Sequence, residues 1–211
     1  MIRKFLERRA AKRLHKGWLF YDQDDRKKAA SVAAKYLNHS NPQIAQDAMR
    51  LYGLSHYKMR QFDKAIPMLH QLAIASNLKQ DYYSLALAQL NHDMKEDAIN
   101  SFNKIASAHS PHTIYAVSYG EMIYQFGKRL YQMNYYSESI QFLNQLMAFY
   151  AGVRTIEEKK LYEKGIPLFH YFSDWVKKLI PLHHPNPQNW LHSASRCLPK
   201  EAVKEIEVYF K

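Results

Sequence analysis

Small residues recur in pairs along the first three quarters of this 211-residue chain. Gly53 is followed twelve residues later by Ala65, and both lie in stretches whose spacing of apolar residues is typical of helices. A glycine inside a helix costs about 1 kcal/mol relative to alanine, so its presence indicates that a neighbouring element comes close. The pair recurs at Gly17 and Ala29, Ala86 and Ala98, and Gly127 and Ser139.

A pattern that returns every 20 to 50 residues or so is typical of stacked repeat architectures. Each pair here predicts two helices joined by a tight turn, and one such hairpin cannot bury its apolar face alone. The chain has many Leu, Ala, Tyr and Lys residues and little Gly, and no segment alternates between apolar and polar residues as a strand would. We therefore predict an all-α fold of stacked helix-turn-helix units.

These residues resemble the tetratricopeptide repeat family, whose unit of about 34 residues has small residues at its eighth and twentieth positions. The resemblance implies a right-handed α-solenoid over residues 1–153, with units at about 10–41, 46–79, 79–111 and 112–153. The first unit is degenerate. Two family positions differ: the usual Trp of the fourth position is replaced by Arg13, Met49, Tyr82 and Ile123, and the usual Gly of the turn by Asp24, Arg60, Asp93 and Asn134.

The last unit and the C-terminal quarter depart from the repeat. Ala98 and Ser139 are 41 residues apart, seven more than the family period, and seven residues make about two helical turns. This spacing predicts one long helix from Ser110 and Pro111 to about Asn134. Residues 154–211 fall outside the register. Since the last repeat of a solenoid exposes an apolar face, they are predicted to form a helical cap packed on the solenoid.

The N-terminal segment is strongly basic, and we predict that residues 1–21 form a basic helix. Its first sixteen residues carry +6 of the chain's net charge of +11, with Glu7 as their only acidic residue. A solvated outer face is one interpretation. An anionic membrane surface is a second, with Phe5, Leu6 and Trp18 seated shallowly, and nucleic acid is a third and weaker one. The basic residues are Arg3, Lys4, Arg8, Arg9, Lys12, Arg13 and Lys16.

The family resemblance implies a binding surface, because the first helices of successive units line a concave groove in that family. Aromatic and basic residues dominate the corresponding positions, and such residues are enriched in interface hot spots. Packing between helices is the alternative role for the tyrosines. The family's clamp for a C-terminal carboxylate is not predicted, because Leu54 and Leu87 replace the asparagines it needs. The predicted groove residues are Trp18, Tyr21, Arg50, Tyr57, Lys58, Tyr83, Asn91, Tyr124, Lys128 and Tyr131.

No pattern of catalytic or metal-binding residues stands out. The single cysteine, Cys197, excludes an intrachain disulfide and favours a reducing compartment. His183, His184 and His192 lie near it, but their spacing matches no zinc-binding pattern and no group is placed to activate the thiol. The sequence also has no phosphate-binding loop or nucleophile elbow. We therefore predict no catalytic residue, no metal and no cofactor.

These observations predict a non-enzymatic adaptor that binds a peptide or helix of a protein partner in its groove. The alternative is a peripheral protein that binds an anionic membrane surface, or nucleic acid, through its basic N-terminal helix. A small-molecule substrate is not expected. The sequence has no long apolar run and only one cysteine, and both features predict a cytoplasmic protein. If the alternative function holds, the protein lies at the cytoplasmic face of a membrane as a peripheral protein.

Overall fold

A computed structural model of the chain describes residues 2–110, 117–151, 169–198 and 200–210. They form two compact units, Met1–Ala116 and Val117–Lys211. The described residues are predominantly α-helical and contain no β-sheet, only an isolated bridge between Leu78 and His109. The prediction of an all-α fold is thereby confirmed.

The described residues of the first unit form three helical hairpins. Each helix packs against the next one along the chain, and the first helices of neighbouring hairpins also touch one another. A 3₁₀ turn, Lys104–Ser107, follows the last of these hairpins. This is the stacked arrangement that the repeat pattern predicts. The helices are α1 (Ile2–Asp22), α2 (Arg26–Ala34), α3 (Pro42–Lys58), α4 (Phe62–Ser76), α5 (Lys79–Asn91) and α6 (Lys95–Asn103).

The predicted small positions lie where helices make their closest approach. Ala29, Ala65 and Ala98 are completely buried, one in the second helix of each hairpin. A Cβ atom added to Gly53 would lie 2.7 Å from Cδ2 of Leu69 on α4, closer than two carbon atoms can approach. The small residues therefore allow each hairpin to close, which supports the register inferred from the sequence.

The turn residues that replace the family's glycine all adopt the left-handed conformation. Their φ angles are 65° at Asp24, 58° at Arg60, 59° at Asp93 and 65° at Asn134. In each turn the next residue donates its N–H to a carbonyl five residues earlier, as Gln61 does to His56 at 2.9 Å. This hydrogen bond is the signature of a Schellman C-cap. All four hairpins therefore use one turn geometry, although none has glycine there.

Arg60 is the least suited of these residues to its conformation, because only Gly, Asn and Asp adopt left-handed angles readily. We expect Arg60→Gly to raise the free energy of unfolding by about 0.5 to 1 kcal/mol, since it removes this strain. Gln71→Gly, at an exposed position inside α4, is the control and should lower it by about 1 kcal/mol. Urea unfolding of both variants tests this. If both glycines destabilise equally, the turn at Arg60 is not strained.

Asn and Asp are preferred at the residue that caps a helix N-terminus, so the sequence predicts that Asn41 and Asp63 each cap a helix. Asn41 caps α3 as expected, because its side-chain oxygen accepts hydrogen bonds from the N–H groups of Gln43 at 3.0 Å and Ile44 at 3.5 Å. The expectation that Asp63 caps α4 is wrong. The helix begins at Phe62 with Gln61 as its N-cap, so Asp63 lies in the first turn. Its negative charge interacts favourably with the helix dipole there.

The described residues of the second unit form one helical hairpin and three further helices. The expectation of one long helix from Pro111 is wrong at its N-terminal end: Val117 and Ser118 are not helical, and Ser118 caps a new helix by accepting the N–H of Glu121. Residues 111–116 lie outside the described residues. The helices are α7 (Tyr119–Gln132), α8 (Tyr136–Ala151), α9 (Phe169–His183), α10 (Pro187–Ala194) and α11 (Lys200–Glu207), followed by a 3₁₀ turn, Val208–Phe210.

Helix α9 packs against both α7 and α8 and also contacts α10 and α11. A Cβ atom on Gly127 would lie 2.6 Å from the Cη2 atom of Trp175, which is 3% exposed. The Trp175 indole donates to Ser139 Oγ at 3.1 Å, and this hydroxyl donates to the carbonyl of Gly127 at 2.8 Å. Ser139, where the family usually has alanine, therefore links α9 to the α7–α8 hairpin by hydrogen bonds.

The compact units divide the chain at 116/117, whereas the repeat pattern placed the division between solenoid and cap at 153/154. The difference arises because α9 packs on α7 and α8, so the fourth hairpin clusters with the C-terminal helices. A solenoid over residues 1–153 with a cap over 154–211 stays a prediction.

Among the described ranges, no helix is both long and apolar enough to cross a bilayer.

Candidate functional site

The first helices of the three N-terminal hairpins are joined side to side by polar side chains. At the α1–α3 contact, the indole N–H of Trp18 donates to Asp47 Oδ1 at 3.1 Å. Both side chains are half-buried, and the Trp18 ring makes an edge-to-face contact with Tyr21 at 5.5 Å. The bond between Trp18 and Asp47 thus fixes the spacing of α1 and α3, while the rings of Trp18 and Tyr21 stay partly exposed.

The α3–α5 contact contains a two-point ion pair. Arg50 donates from Nε to Asp81 Oδ1 at 2.8 Å and from Nη2 to Oδ2 at 2.6 Å. Ser76 Oγ donates to the same carboxylate at 2.7 Å, and Asp81 is only 1% exposed. Burial alone would lower the pKa of Arg50, but the hydrogen bonds and charge of Asp81 outweigh it and the pKa is raised. Arg50 is therefore a structural cation whose charge is already neutralised.

A second bond crosses the α3–α5 contact, between Tyr57 and Asn91. The amide nitrogen of Asn91 donates to the Tyr57 hydroxyl at 2.9 Å and to the carbonyl of Leu87 at 2.8 Å. The Tyr57 ring lies 6.1 Å from that of Phe62 in an edge-to-face contact. We call Trp18, Tyr21, Asp47, Arg50, Tyr57 and Asn91 together the first-helix surface.

Arg26 adds a cation at the edge of the first-helix surface. Its guanidinium lies 3.9 Å from the centre of the Tyr21 ring and bonds Asp24 at 2.9 Å. Its Nε and Nη1 atoms are buried without a hydrogen-bond partner. Burial raises the pKa of Tyr21 despite the opposing charge of Arg26, so the tyrosine stays neutral. Asp47 and Asp81 could not be identified as partners from sequence, because their bonds join different hairpins. Arg26 was also not predicted, although its contacts with Tyr21 and Asp24 lie within the first hairpin.

The remaining predicted residues of the first unit have different surroundings. Lys58 is exposed at the end of α3. Tyr83 is half-buried, and its ring makes an edge-to-face contact with Phe102 of α6 at 6.2 Å. Tyr83 thus contributes to packing within its own hairpin, the alternative role considered for the tyrosines.

Helix α9 covers part of the surface predicted on α7. Tyr124 is 5% exposed, its ring lies 6.1 Å from that of Trp175, and Lys128 Nζ is 3.2 Å from its hydroxyl. The ring of Tyr131 contacts Tyr136 at 5.7 Å and His183 at 6.3 Å. The expectation that Tyr124 is open to a partner is wrong, because Trp175 of α9 already packs on it.

The basic helix predicted at the N-terminus is α1. Lys4, Arg8, Arg9, Lys12, Arg13 and Lys16 are exposed on it, and the side chain of Arg3 lies outside the description. Phe5 and Leu6 are exposed as well. Trp18, in contrast, bonds Asp47. It packs against the core cluster of the first unit, on the side of α1 away from Phe5, so the two side chains cannot enter one membrane surface together.

The histidines and the cysteine of the C-terminal region make local contacts. His184 accepts the N–H of Asn186 at 3.0 Å, and the Cys197 thiol donates to the carbonyl of Ser193 at 3.8 Å. Both line an open pocket of about 540 Å³ with Trp190 and Met147. Within the described ranges, no hydrogen bond joins the thiol to a histidine, and no three His, Cys, Asp or Glu side chains are placed to share a metal ion.

Three comparisons place this geometry among known proteins. Residues 47–74, from the middle of α3 into α4, match the family model described as a tetratricopeptide repeat. A crystal structure from Bacteroides ovatus, provisionally described as that of a protein-binding protein, aligns with 95% of this chain and 95% of its own. The sequence identity is 16% and the TM-score 0.40. No curated protein matches the chain.

Proposed function

We propose, from the premise that residues 47–74 form a tetratricopeptide repeat, that this protein is a non-enzymatic interaction scaffold. In this proposal the first-helix surface holds a peptide or helix of a protein partner. The observation that carries it is the set of bonds Trp18–Asp47, Arg50–Asp81 and Tyr57–Asn91, which hold α1, α3 and α5 side by side. A rigid, partly exposed aromatic surface suits binding, since little side-chain freedom is lost.

The chemistry of the surface favours aromatic contacts over charge. The charge of Arg50 is neutralised by Asp81, and Asp47 already accepts from Trp18. Trp18, Tyr21 and Tyr57 remain half-buried and offer ring area, while the indole N–H of Trp18 and the hydroxyl of Tyr57 are already bonded to Asp47 and Asn91. Trp and Tyr are enriched in interface hot spots. We infer that the partner presents apolar or aromatic side chains to these rings.

The test is capture of the partner from native cells with single variants of the surface. Tyr57→Ala is expected to weaken binding about tenfold to thirtyfold, the loss typical of a hot spot of 1.4 to 2 kcal/mol. Tyr57→Phe keeps the ring but removes the hydroxyl that accepts from Asn91, so the binding it loses measures that bond, and the further loss in Tyr57→Ala measures the ring. The matched control is Ile74→Ala, which removes an exposed apolar side chain from the second helix α4. Each variant is checked by circular dichroism, and affinities are measured by calorimetry with the purified partner.

The outcomes separate recognition from folding. If Tyr57→Ala binds the partner normally while Ile74→Ala does not, the partner docks on the second helices and the proposal fails. If every folded variant binds as the wild type does, the first-helix surface serves only to pack the hairpins.

A further inference from the structure

The outward side of α1 carries cations between two exposed apolar side chains. Residues three or four apart share one side of a helix, so Phe5, Arg8, Lys12, Lys16 and Leu19 follow a single line. All five are exposed, Phe5 by 64% and Leu19 by 46%. A helix rises 1.5 Å per residue, so the line is about 21 Å long.

The hairpins of the first unit leave this side of α1 uncovered. Ala10 and Leu14, on the opposite side of the helix, are buried in the core cluster that α1 shares with α2 and α3. Trp18 and Tyr21 pack against the same cluster, so the first-helix surface and the outward line are separate. A partner on one surface therefore leaves the other accessible.

The charge on this side is concentrated and of one sign. Arg9 is exposed next to the line and extends it sideways. In the part of the chain that the structure describes, no carboxylate forms an ion pair with Arg8, Arg9, Lys12 or Lys16. Glu7 is half-buried on the opposite side. The outward side thus attracts anions without an internal counter-charge.

We propose that Phe5, Arg8, Arg9, Lys12, Lys16 and Leu19, the α1 outer stripe, bind the surface of an anionic lipid bilayer. In this arrangement α1 lies along the membrane plane, the four cations contact phosphate and carboxylate headgroups, and the two apolar side chains enter the interface at either end. The apolar ends favour a bilayer over nucleic acid, because contacts to a phosphate backbone are made by cationic and polar groups. The proposal extends beyond the scaffold function and does not depend on it.

The test is co-sedimentation of the full chain with vesicles of phosphatidylcholine, alone or with phosphatidylserine, over a series of salt concentrations. We expect binding to the anionic vesicles only, weakening as salt rises. A variant with Arg8→Gln, Arg9→Gln, Lys12→Gln and Lys16→Gln should bind several hundredfold more weakly, at roughly a factor of five per residue. The matched control replaces Lys64, Lys104, Lys178 and Lys204, all exposed elsewhere, by Gln, and should bind like the wild type.

Two further arms decide between the alternatives. Phe5→Ser with Leu19→Ser should weaken vesicle binding at every salt concentration; normal binding would overturn the insertion of the apolar ends.

Duplex DNA and single-stranded RNA of mixed sequence are titrated at the same salt. Tighter binding to either than to anionic vesicles would overturn the proposal in favour of nucleic acid, and equal losses in the stripe and control variants would reduce it to unspecific charge attraction.

Discussion

Arg50→Ala is expected to lower the free energy of unfolding by about 3 kcal/mol, one of the two largest effects of a single replacement that we predict. The substitution leaves the Asp81 carboxylate, 1% exposed, with Ser76 as its remaining side-chain donor. Removing one partner of a buried ion pair costs roughly 3 to 5 kcal/mol. We expect the lower end of this range because the Arg50 side chain is 27% exposed, so water can enter the space it leaves and partly solvate the Asp81 carboxylate.

Three further variants test this explanation by urea unfolding. Arg50→Lys keeps the charge but loses the two-point geometry, and should cost about half as much. Arg50→Met with Asp81→Leu removes both charges and should recover much of the stability. The control, Asp47→Ala, breaks the half-buried bond to Trp18 and should cost only about 1 kcal/mol. A loss below about 1 kcal/mol in Arg50→Ala would identify the pair as an ordinary surface salt bridge.

The repeat pattern predicted those features of the fold that depend on local spacing. Gly53 and Ala65 lie at the close approach of α3 and α4, and Arg60 occupies the left-handed turn between them. These positions follow from sequence because a helical hairpin is a local structure, in which the close contacts and the turn recur at fixed offsets.

The lateral bonds could not be predicted in the same way. Arg50 was assigned to a binding groove, yet it forms an ion pair with Asp81, 31 residues further along the chain. One sequence gives the helix on which a residue lies, but the distance between two side chains depends on how hairpins stack. The polar character of both residues was the only signal.

The fourth hairpin shows a second limit. Extrapolation of the period predicted an unbroken helix through residue 118, but the hydroxyl of Ser118 accepts the N–H of Glu121 and starts a new one. Serine is among the residues preferred at this position, so the signal was present and the continuous apolar pattern concealed it. The covering of Tyr124 by Trp175 carried no local signal, since these residues are 51 positions apart and belong to different elements.

Trp175→Ala is expected to cost about 3 to 5 kcal/mol, as replacing a buried aromatic residue by alanine usually does. The indole lies against Gly127, where an added Cβ atom would clash with it, and its ring also contacts Tyr124. Loss of the indole therefore leaves a cavity between α9 and the α7–α8 hairpin. Thermal unfolding measures the loss, and Leu182→Ala is the control, because Leu182 lies on the same helix, 72% exposed, and its loss should change stability little.

The hydrogen bonds of Ser139 are separated from ring packing by a double-mutant cycle. Ser139→Ala leaves the Trp175 N–H and the Gly127 carbonyl without the hydroxyl that joins them, and should cost about 1 to 3 kcal/mol. Trp175→Phe keeps an aromatic ring but removes the N–H donor. Because both replacements break the same bond, their combined effect should be smaller than the sum of the two. Strictly additive effects would show that Trp175 holds α9 through packing alone and that the hydroxyl of Ser139 serves only the α7–α8 hairpin.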